Sequence, residues 1–465
     1  MANILDAVVT EMKVQQIINE QEITGVNLDL NKCKQNIEDL ITIKGDLYKK
    51  VRPNLKLEVV PLESKVPADM IWKERDYVIH KGERNFVKKK FNKNGERVAV
   101  VDKYCTNSGL CFDSIHGPFS RLDFEEPALS RRQKLCEQLL RLGWKPEFRT
   151  EKGAPKLTHK GVPAPSLEKI GGEIGKDLSR WFIASHRQSQ IEGWVRDARP
   201  DGRITARCNP CSTNTTRAKM SVVVNVPKAI DSVFFGKEMR SCFISTEGYS
   251  LCGYDASSLE ARCSAHYTLP IDDGEFAKEI LEGDIHQKNA DYFNIERNQA
   301  KSLYFGLIYG ASPGKIKELL HCSAKVSKEI FNEFWSVNYA LGKVREKCMR
   351  AHNNKGYLPG LDGRKLFTRS EHSAMNVLFQ GAGATIMANT MVNHIDKIRE
   401  AKWKSKPIQV VYYTDEFIFD RVLEEDKEQL TTICKDSIAL AGKQLAFRVP
   451  LLSDVQFGNS WADIH

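Results

Sequence analysis

Three separated segments of this sequence carry residue types that can do chemistry together. The first runs Tyr249-Ser250-Leu251-Cys252-Gly253-Tyr254-Asp255 and continues Ala256-Ser257-Ser258-Leu259-Glu260-Ala261-Arg262. A short apolar strand there delivers Asp255 at its end, and Ser257 or Ser258 is placed to cap a following helix. A carboxylate at a strand end beside free carbonyls suits a hard cation, although alone such an aspartate is more often only a cap. The second segment is Arg297-Asn298-Gln299-Ala300-Lys301-Ser302-Leu303-Tyr304-Phe305-Gly306-Leu307-Ile308-Tyr309-Gly310. Arg297, Lys301, Phe305 and Tyr309 recur every four residues, which puts them on one slowly drifting face of a helix about 18 Å long. The cationic end fits a triphosphate and the aromatic end a base or sugar; an amphipathic core helix with two solvated cations is the plainer alternative. In the third segment, two apolar runs flank Thr414-Asp415-Glu416, which reads as a β-hairpin with acids at its tip. Adjacent carboxylates repel unless water or a cation neutralises them.

Taken together the segments say more than each alone. Two strand-tip aspartates presented to one point can bind two divalent ions about 4 Å apart, the arrangement used for in-line nucleotidyl transfer. A cationic helix supplies what a leaving pyrophosphate needs.

The elements that must position these residues follow from pattern and punctuation. Apolar spacing predicts a helix over Val8–Asn19, an interruption at Gly25-Val26-Asn27 and a second helix capped by Asp29 and running to Lys50. From Pro53 to Pro127 short β-like runs appear, among them Asp76-Tyr77-Val78-Ile79 and Val98-Ala99-Val100-Val101, with a turn signal at Asn94-Gly95. This stretch holds Lys88-Lys89-Lys90 between Phe86 and Phe91, either a guarded strand edge or a DNA- or partner-facing insertion. Helical spacing returns over Ser130–Leu142 and Glu168–Glu192, and mixed strands and helices follow from Thr205. A chain of 465 residues divides into several lobes. Its formal charge of +9 suits a polyanionic partner without requiring one. No apolar run of membrane-spanning length and no signal-peptide pattern occurs, and the twelve cysteines are scattered, as expected of a cytoplasmic protein. Cys208 and Cys211 form the only close pair and lack the second pair a zinc site needs.

In order and spacing the three segments resemble motifs A, B and C of the family A (DNA polymerase I family) DNA polymerases, nearest to the phage replicative branch. Gly283-Asp284-Ile285-His286, Leu361-Asp362-Gly363-Arg364, Asn376, Gln380-Gly381 and Gly458-Asn459-Ser460-Trp461 with His465 add to the resemblance, as do Thr216-Arg217 and Asn225-Val226-Pro227. It covers residues 1–52 and 128–465.

The resemblance implies a mixed α+β fold of the right-hand polymerase kind, with an antiparallel palm sheet and helical fingers and thumb. The thumb would be residues 1–190 with the basic insertion at 54–127, the palm 191–270 and 373–465, and the fingers 271–372. It implies that Asp255 and Asp415 hold two Mg²⁺ ions, helped by the Ala256 carbonyl and supported by Glu416. Arg240, His286, Arg297 and Lys301 would clamp the triphosphate, and Lys301 would give a proton to the leaving group. Glu260 would exclude a ribose 2′-hydroxyl, Phe305 would stack on the incoming nucleotide, and Tyr309 would guard the templating position. Arg217, Asn376 and Gln380 would read the minor groove, whose acceptors are nearly the same for every base pair. Lys88, Lys89 and Lys90 would be the insertion's DNA contacts.

The partners implied are primer-template DNA and dNTPs, in the host cytoplasm if the chain is phage-encoded; the insertion would bind either duplex DNA or a clamp-like processivity factor, and proofreading would be either absent or supplied by a separate exonuclease chain. The thumb-like helices start almost at Met1, so no intrinsic 3′-5′ exonuclease domain is expected. Three departures stand out. Thr414 replaces the usual histidine and is expected to suit its strand, the stretch between Arg217 and Pro227 is shortened, and Phe305 in place of tyrosine implies discrimination against dideoxynucleotides. A single-subunit RNA polymerase would share the palm, but Glu260, Phe305 and Glu416 argue against it. The intact Asp255, Asp415, Lys301 and Arg297 argue against a non-catalytic DNA-binding accessory factor.

Overall fold

The computed structural model describes residues 4–61, 77–80, 83–91, 97–101, 119–120, 122–159 and 161–464, with side chains described outside 58–125. The chain forms two compact units, one of Met1–Lys34 with Glu192–His465 and the other of Gln35–Ile191. Both are mixed α+β. No helix among the described residues is long and apolar enough to cross a membrane.

The first unit is organised by an antiparallel four-stranded sheet, in the order Ile408–Tyr413, Glu416–Val422, Ser250–Ala256, Ser453–Gly458. The strand Ser250–Ala256 is central and buried through Leu251, Cys252, Gly253 and Tyr254, so its sequence reads as a continuous apolar run rather than an alternation. Helices Ala374–Glu400 and Lys427–Gln444 pack together behind it. Tyr254, Tyr412, Phe417 and Phe419 form the aromatic core between, with the Tyr412 and Phe417 rings 5.0 Å apart. His394, fully buried, meets Gln409 Oε1 through Nε2 at 2.8 Å, and burial pushes its pKa down to about 3, so it stays neutral.

A run of helices, Leu259–Asp272, Glu275–Glu282, Ile285–Phe293, Arg297–Ile308, Pro313–Leu320, Ala324–Val337 and Tyr339–Lys355, then leads to a small hairpin of Tyr357–Pro359 and Lys365–Phe367. The N-terminal helix Ile4–Thr24 ends where Gly25 takes φ +68, and Val26–Leu28 becomes a strand between Arg203–Ile204 and Phe243–Ile244. The expected interruption is therefore a short strand. Asp29 Oδ1 accepts from Lys32 N at 2.9 Å, which caps the helix Leu30–Val51 as its sequence suggests.

In the second unit the helix Arg132–Arg141 packs Leu135 and Leu139 against Trp144, Leu157, Leu167 and Leu178. Trp144 Nε1 donates to Ser166 Oγ at 3.1 Å, which satisfies the one polar atom of a buried indole. The helix expected over 168–192 instead runs Ile174–Asp197. After the 3-10 turn Pro165–Leu167 the chain stays in turns through 168–173, with Gly172 at φ +75, so the α-helix begins only beyond it. In the basic stretch, the strand Glu58–Pro61 pairs with Leu122–Glu125, and Tyr77–His80, Glu83–Phe91, Arg97–Val101 and Phe119–Ser120 form a further sheet. Lys88, Lys89 and Lys90 lie on Glu83–Phe91, but their side chains lie outside what is described, as do Asp76, the Asn94-Gly95 turn and His465.

Candidate active site

Asp255 is the penultimate residue of its strand and stands in register between Glu416 on one neighbour and Asp454 on the other. The Ala256 amide donates to the Asp415 carbonyl at 3.0 Å, which ties the strand end to the hairpin turn. Three acids from distant parts of the chain thus meet at one end of the sheet. Burial, and then the charges of Asp415 and Asp454, raise the Asp255 carboxyl to about 6. Burial also raises Asp415, opposed by Arg217, whose Nη2 lies 3.8 Å from Asp415 Oδ1. The Asp415 side chain nevertheless remains 34% exposed, open enough to meet a ligand.

The hairpin turn is two residues, Thr414 and Asp415, because Tyr413 pairs with Glu416. Thr414 is not the strand residue expected: it sits in the turn with φ +54, a left-handed conformation that a β-branched side chain adopts only under strain. Glu416, only 3% exposed, accepts from Trp461 Nε1 at 2.9 Å, and burial lifts its carboxyl to about 7. Arg240 lies beneath, 2% exposed, with its guanidinium 4.8 Å from the Trp461 ring centre and its Nε donating to the Pro227 carbonyl at 2.8 Å. Its charge reaches Glu416, Tyr413 and Asp255.

Neither Ser257 nor Ser258 caps the helix that follows Asp255 through its side chain. Ser257 Oγ instead donates to Asp454 Oδ2 at 2.8 Å, while Ser258, at φ +50, starts the helix Leu259–Asp272. Asp454 is the site-end carboxylate that sequence reasoning missed. Leu451-Leu452-Ser453-Asp454-Val455 carries a strand signal, but nothing local says which strand it joins.

The helix Arg297–Ile308 buries Ala300, Leu303, Tyr304, Leu307 and Ile308, leaving Arg297, Lys301 and Phe305 on the other side, with Tyr309 as its C-terminal cap. The Phe305 and Tyr309 rings stack at 6.2 Å, and His286 approaches Phe305 at 5.6 Å. Asp284 organises the cationic end: Oδ1 accepts from the His286 and Gln287 amides at 3.1 and 3.0 Å, and Oδ2 pairs with Arg297 Nε at 2.7 Å. Burial, then Lys301, lowers the His286 pKa. Tyr309 Oη donates to Glu260 Oε2 at 2.5 Å, joining the aromatic end of this helix to the helix that follows Asp255. Gly310 takes φ +86, and a Cβ there would stand 2.4 Å from the His372 carbonyl, so this close approach needs glycine. Asn376 and Gln380 lie one helical turn apart on Ala374–Glu400, both half-buried, and the Asn376 Oδ1 has no protein partner.

Among the described residues, no group of three or more His, Cys, Asp and Glu side chains is arranged to hold a metal. Asp255, Asp415 and the Ala256 carbonyl are a different kind of donor set, two hard carboxylates and a backbone oxygen. That set fits Mg²⁺, which is held by one or two carboxylates with waters and substrate phosphates completing its shell. The upward push of Asp415 on Asp255 is what a bound cation would relieve.

Residues 128–463 match the family model described as DNA polymerase family A. The chain is 27% identical over 370 residues to a DNA-directed DNA polymerase of Enterobacteria phage T3, and equally to that of Escherichia phage T7, covering 72% of this chain and 52% of each relative. It is 27% identical over 327 residues to DNA polymerase I of Geobacillus stearothermophilus, covering 64% of this chain and 36% of that protein. The chain thus spans about half the length of the phage relatives. Its fold is that of the POL domain of Pol1 from M. smegmatis, solved in complex with DNA primer-template and dNTP, with a TM-score of 0.73 and 20% identity over 98% of this chain and 70% of that one.

Proposed function

The chain belongs to DNA polymerase family A, and from that premise we propose that it is a template-directed DNA polymerase of the phage replicative kind, adding dNTPs to a primer 3′-hydroxyl. The observation that carries this reading is the convergence of the three segments: the Ala256 amide bonded to the Asp415 carbonyl, and Tyr309 bonded to Glu260. Together these bonds link the helix that carries Arg297, Lys301, Phe305 and Tyr309 to the chain that follows Asp255, and the Asp255 strand end to the Asp415 turn. The phage polymerases among its relatives support the branch.

In this reading residues 191–270 and 373–465 make the palm, 271–372 the fingers and 1–190 the thumb, with the stretch 54–127 inserted in it. Asp255 and Asp415, with the Ala256 carbonyl and Glu416 in support, hold two Mg²⁺ ions, which when bound supply an acidified primer hydroxyl and neutralisation of the pyrophosphate. Arg297, Lys301 and His286 grip the triphosphate, and Lys301 hands a proton to the departing pyrophosphate oxygen. These cations are aimed at charge that grows in the transition state. Arg240, 2% exposed, adds its charge from inside the site, where it reaches Glu416 and Asp255. Phe305 stacks on the incoming base, and the Glu260–Tyr309 pair closes the pocket where a ribose 2′-hydroxyl would sit. Arg217, Asn376 and Gln380 face the primer-template minor groove, and the insertion with Lys88, Lys89 and Lys90 engages DNA or a clamp-like processivity partner.

The test is primer extension in Mg²⁺ with dNTPs or rNTPs supplied separately. Wild type is expected to extend with dNTPs only, and Glu260→Ala to accept rNTPs; equal use of both by wild type would overturn the role of Glu260.

A further inference from the structure

The hairpin Tyr357–Pro359 and Lys365–Phe367 has two unlike faces. Inward, Leu366 is 1% exposed and seats against Gly381, where a Cβ would come within 2.7 Å of its Cδ1. Thr368 is held by His352 Nδ1 at 2.6 Å and by the Gly356 carbonyl at 3.2 Å. Outward, the alternate residues Lys365, Phe367 and Arg369 are exposed, with Phe367 open to 65%. Alternate residues on a strand are about 6.7 Å apart, so Lys365 and Phe367 stand side by side on one face of the strand, and Arg369 is exposed two residues beyond the strand's end. Tyr357 backs the pair on the strand: its ring lies 6.0 Å from that of Phe367 and 4.9 Å from Lys365 Nζ. Among the described residues neither Lys365 nor Arg369 forms an ion pair; the nearby Glu371 is engaged by His372 at 3.7 Å and Asn353 at 3.5 Å.

The position of these residues is fixed by two close packings. Leu366 enters its notch directly beside Gln380, and the His372 carbonyl is pressed against Gly310, next to Tyr309. The chain that follows these residues is therefore anchored, through His372, at the end of the helix that carries the aromatic ladder. An exposed phenylalanine between unpaired cations is a poor surface for water but a good one for single-stranded nucleic acid, which offers a π-face and a phosphate at every step. We propose that the outward face of this hairpin is a track for the unpaired template strand, Phe367 stacking on a base and Lys365 and Arg369 meeting the flanking phosphates. The proposal rests on the polymerase reading.

The experiment measures the affinity of the whole chain for a labelled primer-template whose template overhang is either one nucleotide or about ten, enough to cover these residues several times over. Wild type is expected to bind the long overhang more tightly. Phe367→Ala should lose about tenfold on the long overhang and nothing on the short one. Phe367→Tyr should keep the gain, and Lys365→Gln with Arg369→Gln should flatten its salt dependence. An equal loss on both substrates, which would mean a duplex contact, or no loss on either, would overturn the track. Wild-type extension on the one-nucleotide overhang keeps the two readings apart. Extension with a neutral Phe367→Ala defeats only the track, and no extension at all removes the polymerase reading beneath it.

Discussion

Replacing Glu416 by glutamine should stabilise the protein when divalent metal is chelated, and only above acid pH. Glu416 is almost fully enclosed, and burial outweighs the attraction of Arg240 and the Trp461 hydrogen bond, so its carboxyl rises from 4.5 to about 7. A carboxyl raised on folding binds protons more tightly in the folded state. Stability therefore falls as pH climbs from the unfolded value to the folded one, and the loss is complete above about 7. At about 1.4 kcal/mol per tenfold change in ionisation, the ionised group costs roughly 3 kcal/mol there, as an upper bound. Glutamine keeps an oxygen for the Trp461 indole and removes the charge. Denaturation in EDTA at pH 8 should thus show Glu416→Gln more stable by about 2–3 kcal/mol, with the difference shrinking toward zero near pH 4.5. A variant less stable than wild type at pH 8, or a gain that does not change with pH, would refute this reasoning. A loss at pH 8 would mean that the Arg240 attraction outweighs desolvation.

Asp420, 1% exposed, accepts from the Thr246 amide at 2.9 Å, Thr246 Oγ1 at 2.5 Å and the Arg421 amide at 2.8 Å, with Arg203 at 3.4 Å. Asp420→Ala removes the shared acceptor of these donors and the buried carboxylate facing Arg203, so chemical denaturation should show a loss of about 3–5 kcal/mol. Thr414→Gly removes a β-branched side chain from φ +54 and should gain about 1 kcal/mol after the entropy of glycine is counted, read as a higher denaturation midpoint. An unchanged or lower midpoint would mean the turn is not strained.

The parts of this architecture legible in the sequence are those written locally. The four-residue recurrence of Arg297, Lys301, Phe305 and Tyr309 named a helix face, and the opposite positions are the buried ones. The apolar run before Asp255 and the pair of runs around Thr414-Asp415-Glu416 named strands that occur where expected. What stayed hidden depends on partners far along the chain. Ser257 prefers Asp454, 197 residues away, to the helix end beside it. Arg240 looks like any solvated cation until Trp461 and Pro227 enclose it. The left-handed turn at Thr414 runs against threonine's own preference and is imposed by the two-residue link between paired strands. The shift of a helix start to Ile174 was readable in Gly171-Gly172, whose break outweighs the apolar spacing around it.

If Asp255 and Asp415 act together in nucleotide addition, loss of Asp415 alone must stop it. Primer extension with dNTPs and Mg²⁺ should proceed with wild type and fall by at least about a thousandfold in Asp415→Ala, roughly 4 kcal/mol of barrier, while primer-template binding persists. Extension by Asp415→Ala at a rate near that of wild type would mean that Asp415 takes no part in nucleotide addition.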